Sequence, residues 1–88
     1  MREYKVFFKS SADRQLRRLP DAVQRRIVAE AAMLAHDPRP HGVVKLVGCE
    51  NLWRIRAGDY RIVYEIHDDR LIVLVLRVAR RKGVYRGD

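Results

Sequence analysis

Arginine recurs in this chain wherever a strand would line it up. Arg54 and Arg56 lie two apart, Arg61 follows a glycine–aspartate pair, and Arg77 and Arg81 share a parity further on. Side chains two residues apart on a strand point to the same face, so these guanidinium groups can occupy one surface. Guanidinium is a planar, permanently charged fork that matches the oxygens of a phosphate. Arg80, Lys82, Tyr85 and Arg86 extend the basic pattern into the tail. A tyrosine ring among cations can stack an unpaired base, which suits RNA. Positive charge around Tyr85 also favours its phenolate form. A purely structural sheet face would mix its signs, because like charges on neighbouring strands repel. Here Glu65 is the single balancing carboxylate in the strand meander.

Metal-free RNA cleavage asks three things of such a face. The 2′-hydroxyl must lose a proton, the pentacoordinate phosphate must be stabilised, and the departing 5′-oxygen must gain a proton. Arginine does the second well and is a poor proton acceptor. Histidine is the usual proton carrier. His36, His41 and His67 stand at a helix end, in a loop and at a turn, and parity places none of them in the arginine cluster. Each reads first as a surface or loop residue. A glycine-rich phosphate loop, paired carboxylates for a metal and a serine or cysteine nucleophile arrangement are all missing from the sequence. Asp68-Asp69 reads as a turn. The lone Cys49 can form no internal disulfide, which fits a reducing compartment.

The elements that must carry these residues follow from spacing. Tyr4 to Phe8 is a short strand rich in aromatic residues. Ser10 or Ser11 is the expected N-cap of a first helix, with Asp13 completing a weak capping box. Ala12, Leu16 and Leu19 share its apolar side. After Pro20, residues Val23, Ile27, Ala31 and Leu34 repeat at helical spacing, predicting a second helix from Asp21 to His36. The prolines at 38 and 40 end it. Trp53, Ile55, Tyr60, Ile62, Tyr64 and Ile66 then alternate with Arg54, Arg56 and Arg61 across the hairpin signal Gly58-Asp59. Leu71 to Ala79 is apolar at both parities, as in a central strand covered on both sides. The expected fold is α+β. It consists of an N-terminal strand and a two-helix hairpin packed on one face of a small, mainly antiparallel, four-stranded sheet, with the first strand beside the last.

Length and charge bound the rest. Eighty-eight residues read as a single domain, 1–88, with a thin core. At 48% hydrophobic residues the chain is globular, not disordered. Nineteen Lys and Arg against eleven Asp and Glu leave +8, which points to a polyanionic partner. The longest apolar run, Leu71 to Leu76, is far too short for a bilayer, and the N-terminus lacks the apolar stretch of a signal peptide. A cytoplasmic protein is expected.

Together these residues bring a family into view. Gly58-Asp59-Tyr60-Arg61-Ile62-Val63-Tyr64, then Arg77-Val78-Ala79-Arg80-Arg81 and Val84-Tyr85-Arg86, resembles the RelE branch of the RelE/ParE toxin superfamily. Leu16-Arg17-Arg18-Leu19-Pro20, Lys45-Leu46 and Leu52-Trp53-Arg54-Ile55-Arg56 resemble it too, so that the likeness runs from about residue 3 to 86. The resemblance implies a type II toxin, an mRNA interferase that enters the ribosomal A site and cuts the codon there without metal or other cofactor. It maps phosphate contact onto Arg61, transition-state charge or leaving-group support onto Arg81, and base stacking or proton transfer onto Tyr85. Arg54 and Arg56 take the place of basic second-strand residues, Lys45 would hold ribosomal RNA, and Arg77, Arg80, Lys82 and Arg86 would bind RNA. Well-studied members carry lysines on the second strand and often a histidine before the final strand arginine; this chain has Arg54, Arg56 and Arg80. The implied partners are the ribosome, its mRNA and a RelB-like antitoxin in a hetero-oligomer, with no membrane. The ParE-like alternative is a non-enzymatic gyrase inhibitor on the same fold, and an inactive RNA- or antitoxin-binding homologue is a third.

Overall fold

The computed structural model describes residues 3–48 and 51–80. Cys49 therefore lies outside the described residues, as does the tail from 81 onward. Strand β1 (Lys5–Phe8) leads into helices α1 (Ser10–Arg17) and α2 (Asp21–Met33), followed by strands β2 (Val44–Lys45), β3 (Leu52–Ala57), β4 (Tyr60–His67) and β5 (Ile72–Arg80). The sheet order is β1-β5-β4-β3-β2, with β1 parallel to β5 and every other pairing antiparallel. The fold is α+β as expected, with five strands in place of four. The additional strand, β2, is two residues long, and Val44↔Arg54 with Lys45↔Trp53 is its whole ladder. So short a segment carries no period-2 pattern in sequence.

The helices differ from expectation at their ends. Neither serine caps α1: Ser10 is its first residue and Lys9 is the cap, with no side-chain capping bond. The sheet fixes where the helix starts. Lys9 donates its N–H to the Val75 carbonyl at 2.8 Å, and its own carbonyl accepts from Asp13 N–H at 2.9 Å. Asp13 pairs with Arg17 at 2.8 Å, one turn on. The regular α2 ends at Met33, three residues before the predicted His36. The N–H groups of Leu34, Ala35 and His36 reach the carbonyls three residues back, at 3.0–3.1 Å. The chain tightens there before Pro38 removes the next donor.

One face of the sheet and one side of the helix hairpin form the core. Ala12, Leu16, Ile27, Ala31 and Leu34 from the helical side meet Ile55, Ile62, Tyr64, Ile66, Val73, Val75 and Val78 from the sheet. The long apolar run in β5 has an unexpected cause. Its register passes from Val63↔Arg77 to Tyr64↔Val75, leaving Leu76 unmatched in a bulge. A bulge shifts side-chain parity by one. Val73 and Val75 before it and Val78 after it all reach the core, while Ile72 and Leu74 on the other face are half-buried. β5 is thus fully covered on one face, not two. Among the described residues no helix is long and apolar enough to cross a membrane.

Tyr64 ties the sheet to the chain leaving α2. It is fully buried, and its hydroxyl donates to the Pro38 carbonyl at 2.7 Å. Burial pushes its ionisation well above the usual tyrosine range, so the hydroxyl stays a donor. Tyr64→Phe removes the donor and leaves the Pro38 carbonyl unmatched. We expect a loss of about 1–2 kcal/mol in urea unfolding, with the helix content of the folded state unchanged.

Candidate nucleic-acid interface

The two-residue turn Gly58-Asp59 sets the arginines. Gly58 takes φ +64°, a left-handed conformation that a residue with a Cβ rarely adopts, and a Cβ built there would stand 3.4 Å from the Arg26 guanidinium. The turn closes Ala57 onto Tyr60 and thereby sets Arg56 opposite Arg61 and Arg54 opposite Val63. Across β4, Val63 pairs with Arg77 and Arg61 with Ala79. Residues paired across a sheet share a face. Arg54, Arg56, Arg61 and Arg77, drawn from three strands, therefore stand on the face away from the helices.

Hydrogen-bond alternation brings one pair closer still. Leu46 N–H donates to the Leu52 carbonyl at 3.0 Å, so Leu52, Arg54 and Arg56 turn their backbone groups toward β2. Arg56 and Arg61 are then a non-hydrogen-bonded pair, with Cα atoms about 4.5 Å apart and side chains adjacent. Arg61 is only 7% exposed, whereas Arg56 and Arg77 are exposed and Arg54 is intermediate. Sequence alternation puts Arg61 on the same face as Arg54 and Arg56 and says nothing of its depth. Its guanidinium lies on the floor of the face, where a charge interacts more strongly than in water.

The other expected basic residues divide. Arg80 pairs with Tyr60, which places it at the end of β5 on the opposite parity from Arg77, exposed. Lys45 pairs with Trp53 and sets its Nζ 5.5 Å from the indole centroid, on the core-facing parity, away from the arginines. Arg81, Lys82, Tyr85 and Arg86 lie outside the described residues. His36 pairs with Glu3 at 3.1 Å, and His67 contacts Glu65 at 2.8 Å. That second contact occupies the carboxylate expected to balance the arginines.

Two features carried no sequence signal. One is a stack: Arg39 lies 4.9 Å over the Trp53 ring while forking onto Asp68 at 2.8 and 3.2 Å, and Tyr4 donates to the same carboxylate at 2.6 Å. The hydrogen bond to Asp68 holds Arg39 still more firmly charged. Asp68 is in a turn as predicted, yet its carboxylate also joins β1 to the segment after α2. The other is a cavity of about 480 Å³ where β2 stops short along the β3 edge, lined by Glu30, Pro40, His41, Arg54, Ile55 and Arg56 among others. His41 is the histidine that folding brings to the second-strand arginines. Among the described residues, no three His, Cys, Asp or Glu side chains converge as a metal site would require.

A helix hairpin packs on one face of a small mixed sheet and four arginines stand on the other. The sequence matches the family described as "ParE toxin of type II toxin-antitoxin system, parDE" over residues 6–85. Toxin RelE of Mycobacterium tuberculosis is 34% identical, over 94% of this chain and 87% of its own length. The RelBE2 toxin–antitoxin complex of the same organism contains a chain with TM-score 0.81 and 32% identity, covering 92% of this chain and 94% of that one. The archaeal RelE–RelB complex from Pyrococcus horikoshii gives TM-score 0.79 at 30% identity, over 90% and 96%. The chain belongs to the RelE/ParE superfamily and is a RelE-type toxin of a type II toxin–antitoxin system.

Because the turn sets which arginines share a face, strain at Gly58 reaches the site. Gly58→Val forces a β-branched residue into the left-handed region at a cost of about 1–2 kcal/mol. We expect a lower melting temperature and, in the folded fraction, broadened side-chain signals from Arg56 and Arg61.

Proposed function

We propose that this protein is an mRNA interferase, a metal-independent endoribonuclease that cleaves codons in the ribosomal A site and so halts translation in the cytoplasm. One observation carries the proposal: Arg54, Arg56, Arg61 and Arg77 reach a single face from three strands. Such a cluster binds a phosphodiester, and the buried Arg61 is its pre-positioned element. A guanidinium already desolvated and held in place needs no reorganisation as charge builds on the phosphate. Arg61 grips the scissile phosphate in this reading, Arg54 and Arg56 hold the flanking strand, and Arg77 extends the contact. Arg81 supplies further transition-state charge and Tyr85 stacks a base or moves a proton. Lys45 and Arg80, off the arginine face, meet ribosomal RNA in this reading, with Lys82 and Arg86 adding to that contact.

The reaction joins the 2′-oxygen to phosphorus and breaks the bond from phosphorus to the 5′-oxygen. The 2′-proton leaves and a proton is returned to the 5′-oxygen. The natural regulator is a RelB-like antitoxin whose acidic segment covers the arginine face. Complementary charge speeds its association and stores the toxin as a hetero-oligomer.

After brief induction, transcript 5′ ends should accumulate within codons of translated mRNA, and Arg61→Ala should lose at least about a hundredfold of that cleavage, the scale of a lost transition-state donor. Its far-UV spectrum should match the parent. Cleavage at the parental rate by Arg61→Ala would overturn the proposal, as would inhibition of gyrase supercoiling with cellular mRNA left intact. On single-stranded RNA, Arg56→Ala should reduce the slope of log affinity against log salt by about 0.7, the contribution of one phosphate contact.

A further inference from the structure

The cavity at the β3 edge is lined by four polar residues, Glu30 and His41 from the helix side and Arg54 and Arg56 from the strand. Glu30, His41, Arg54 and Arg56 make no hydrogen bond or ion pair. The strand edge adds to them. The backbone groups of Arg54 and Arg56 face the β2 side, Val44 matches Arg54, and β2 begins there. The N–H and carbonyl of Arg56 thus have no strand partner on that side. At about 480 Å³ the space is in the range of small-molecule sites, and Pro40, Val44 and Ile55 give it apolar wall.

The charges around the cavity are of two kinds. The two arginines call for an anion, while the Glu30 carboxylate on the same lining repels one. An acidic peptide would meet Glu30 unfavourably along its length. A nucleotide carries both requirements in one unit, a phosphate at one end and a base edge with hydrogen-bond donors at the other. A carboxylate only accepts, so it selects bases that carry an exocyclic amino group: adenine, guanine and cytosine. Uracil has no exocyclic amino group; its one donor on that edge, N3–H, is flanked by two carbonyl oxygens that the carboxylate repels. The His41 imidazole offers a planar surface on which a base can lie.

We propose that this cavity is a nucleotide subsite of the RNA strand, in which Arg54 and Arg56 hold the phosphate and Glu30 selects an amino-bearing base over uracil. The subsite rests on the ribonuclease reading for its biological ligand, and it adds a base-reading element on the helix side of the strand that carries the phosphate grip. Arg54 and Arg56 connect the two.

The test uses the intact chain with AMP, CMP and UMP as probes, followed through the His41 ring and the Arg54 and Arg56 side-chain resonances. AMP and CMP should bind about tenfold more tightly than UMP, the difference one discriminating hydrogen bond makes. Glu30→Gln, which can both donate and accept, should bring the ratio near one with the fold retained. Arg54→Ala should weaken all three alike. Equal binding of AMP and UMP by the parent chain, or shifts confined to residues elsewhere, would overturn the subsite. Movement of these resonances by an acidic peptide and by no nucleotide would also overturn it and assign the cavity to a protein partner. The readout is independent of cleavage. Discrimination by a chain that cuts no mRNA keeps the nucleotide site and removes the ribonuclease reading; cleavage without discrimination removes the subsite alone.

Discussion

The register of β3 against β4 is the constraint from which the remaining architecture follows. Ile55↔Ile62 and Arg56↔Arg61 are consecutive pairs on opposite faces. A slip of one residue would send arginine into the core and isoleucine to the surface. Burial of Ile55, Ile62 and Tyr64 under the helices and collection of the arginines on the far side are therefore one event. The free energy of core packing is what holds like charges together. Repulsion between Arg56 and Arg61 opposes that arrangement, and the hydrophobic face, worth about 25 cal/mol per Å² of apolar surface removed from water, overrides it.

Arg61 shows the same balance in a single residue. Desolvating a guanidinium is unfavourable by itself. The ladders to β3 on one side and β5 on the other fix the strand that holds it there. A cation with little water around it interacts more strongly with an anion than one in bulk solvent. The family to which the chain belongs gives this arrangement a biological setting, the toxins of type II toxin–antitoxin systems.

The sheet edges divide labour. At one edge β1 runs parallel to β5 only as far as Phe8↔Val75, and beyond that point α1 takes over: the Gln15 side chain accepts the Val78 N–H at 2.8 Å. At the other edge β2 is too short to complete the ladder, and α2 with the loop after it encloses a cavity in place of another strand. The first edge is closed and structural. The second leaves side chains and backbone available beside the arginine face.

Much of this protein is legible from residue order. Alternation of Trp53, Ile55, Tyr60, Ile62, Tyr64 and Ile66 with arginines, helical repetition from Val23 to Leu34, and the Gly58-Asp59 turn identify the α+β class, the meander and the arginine face, because each depends on local periodicity. Other features depend on contacts between distant segments and leave no local trace. The bulge at Leu76 arises only when β5 meets β4, so its parity switch looked like a strand covered on both faces. The cap of α1 moved to Lys9 because β5 holds that residue in place. β2 exists only by pairing, and Lys45 meets Trp53 only once that register is set. The burial of Arg61 and the meeting of Glu30 and His41 with Arg54 and Arg56 join residues far apart in the chain. Sequence period determines which way a side chain points; packing alone determines how deeply it sits and what stands beside it.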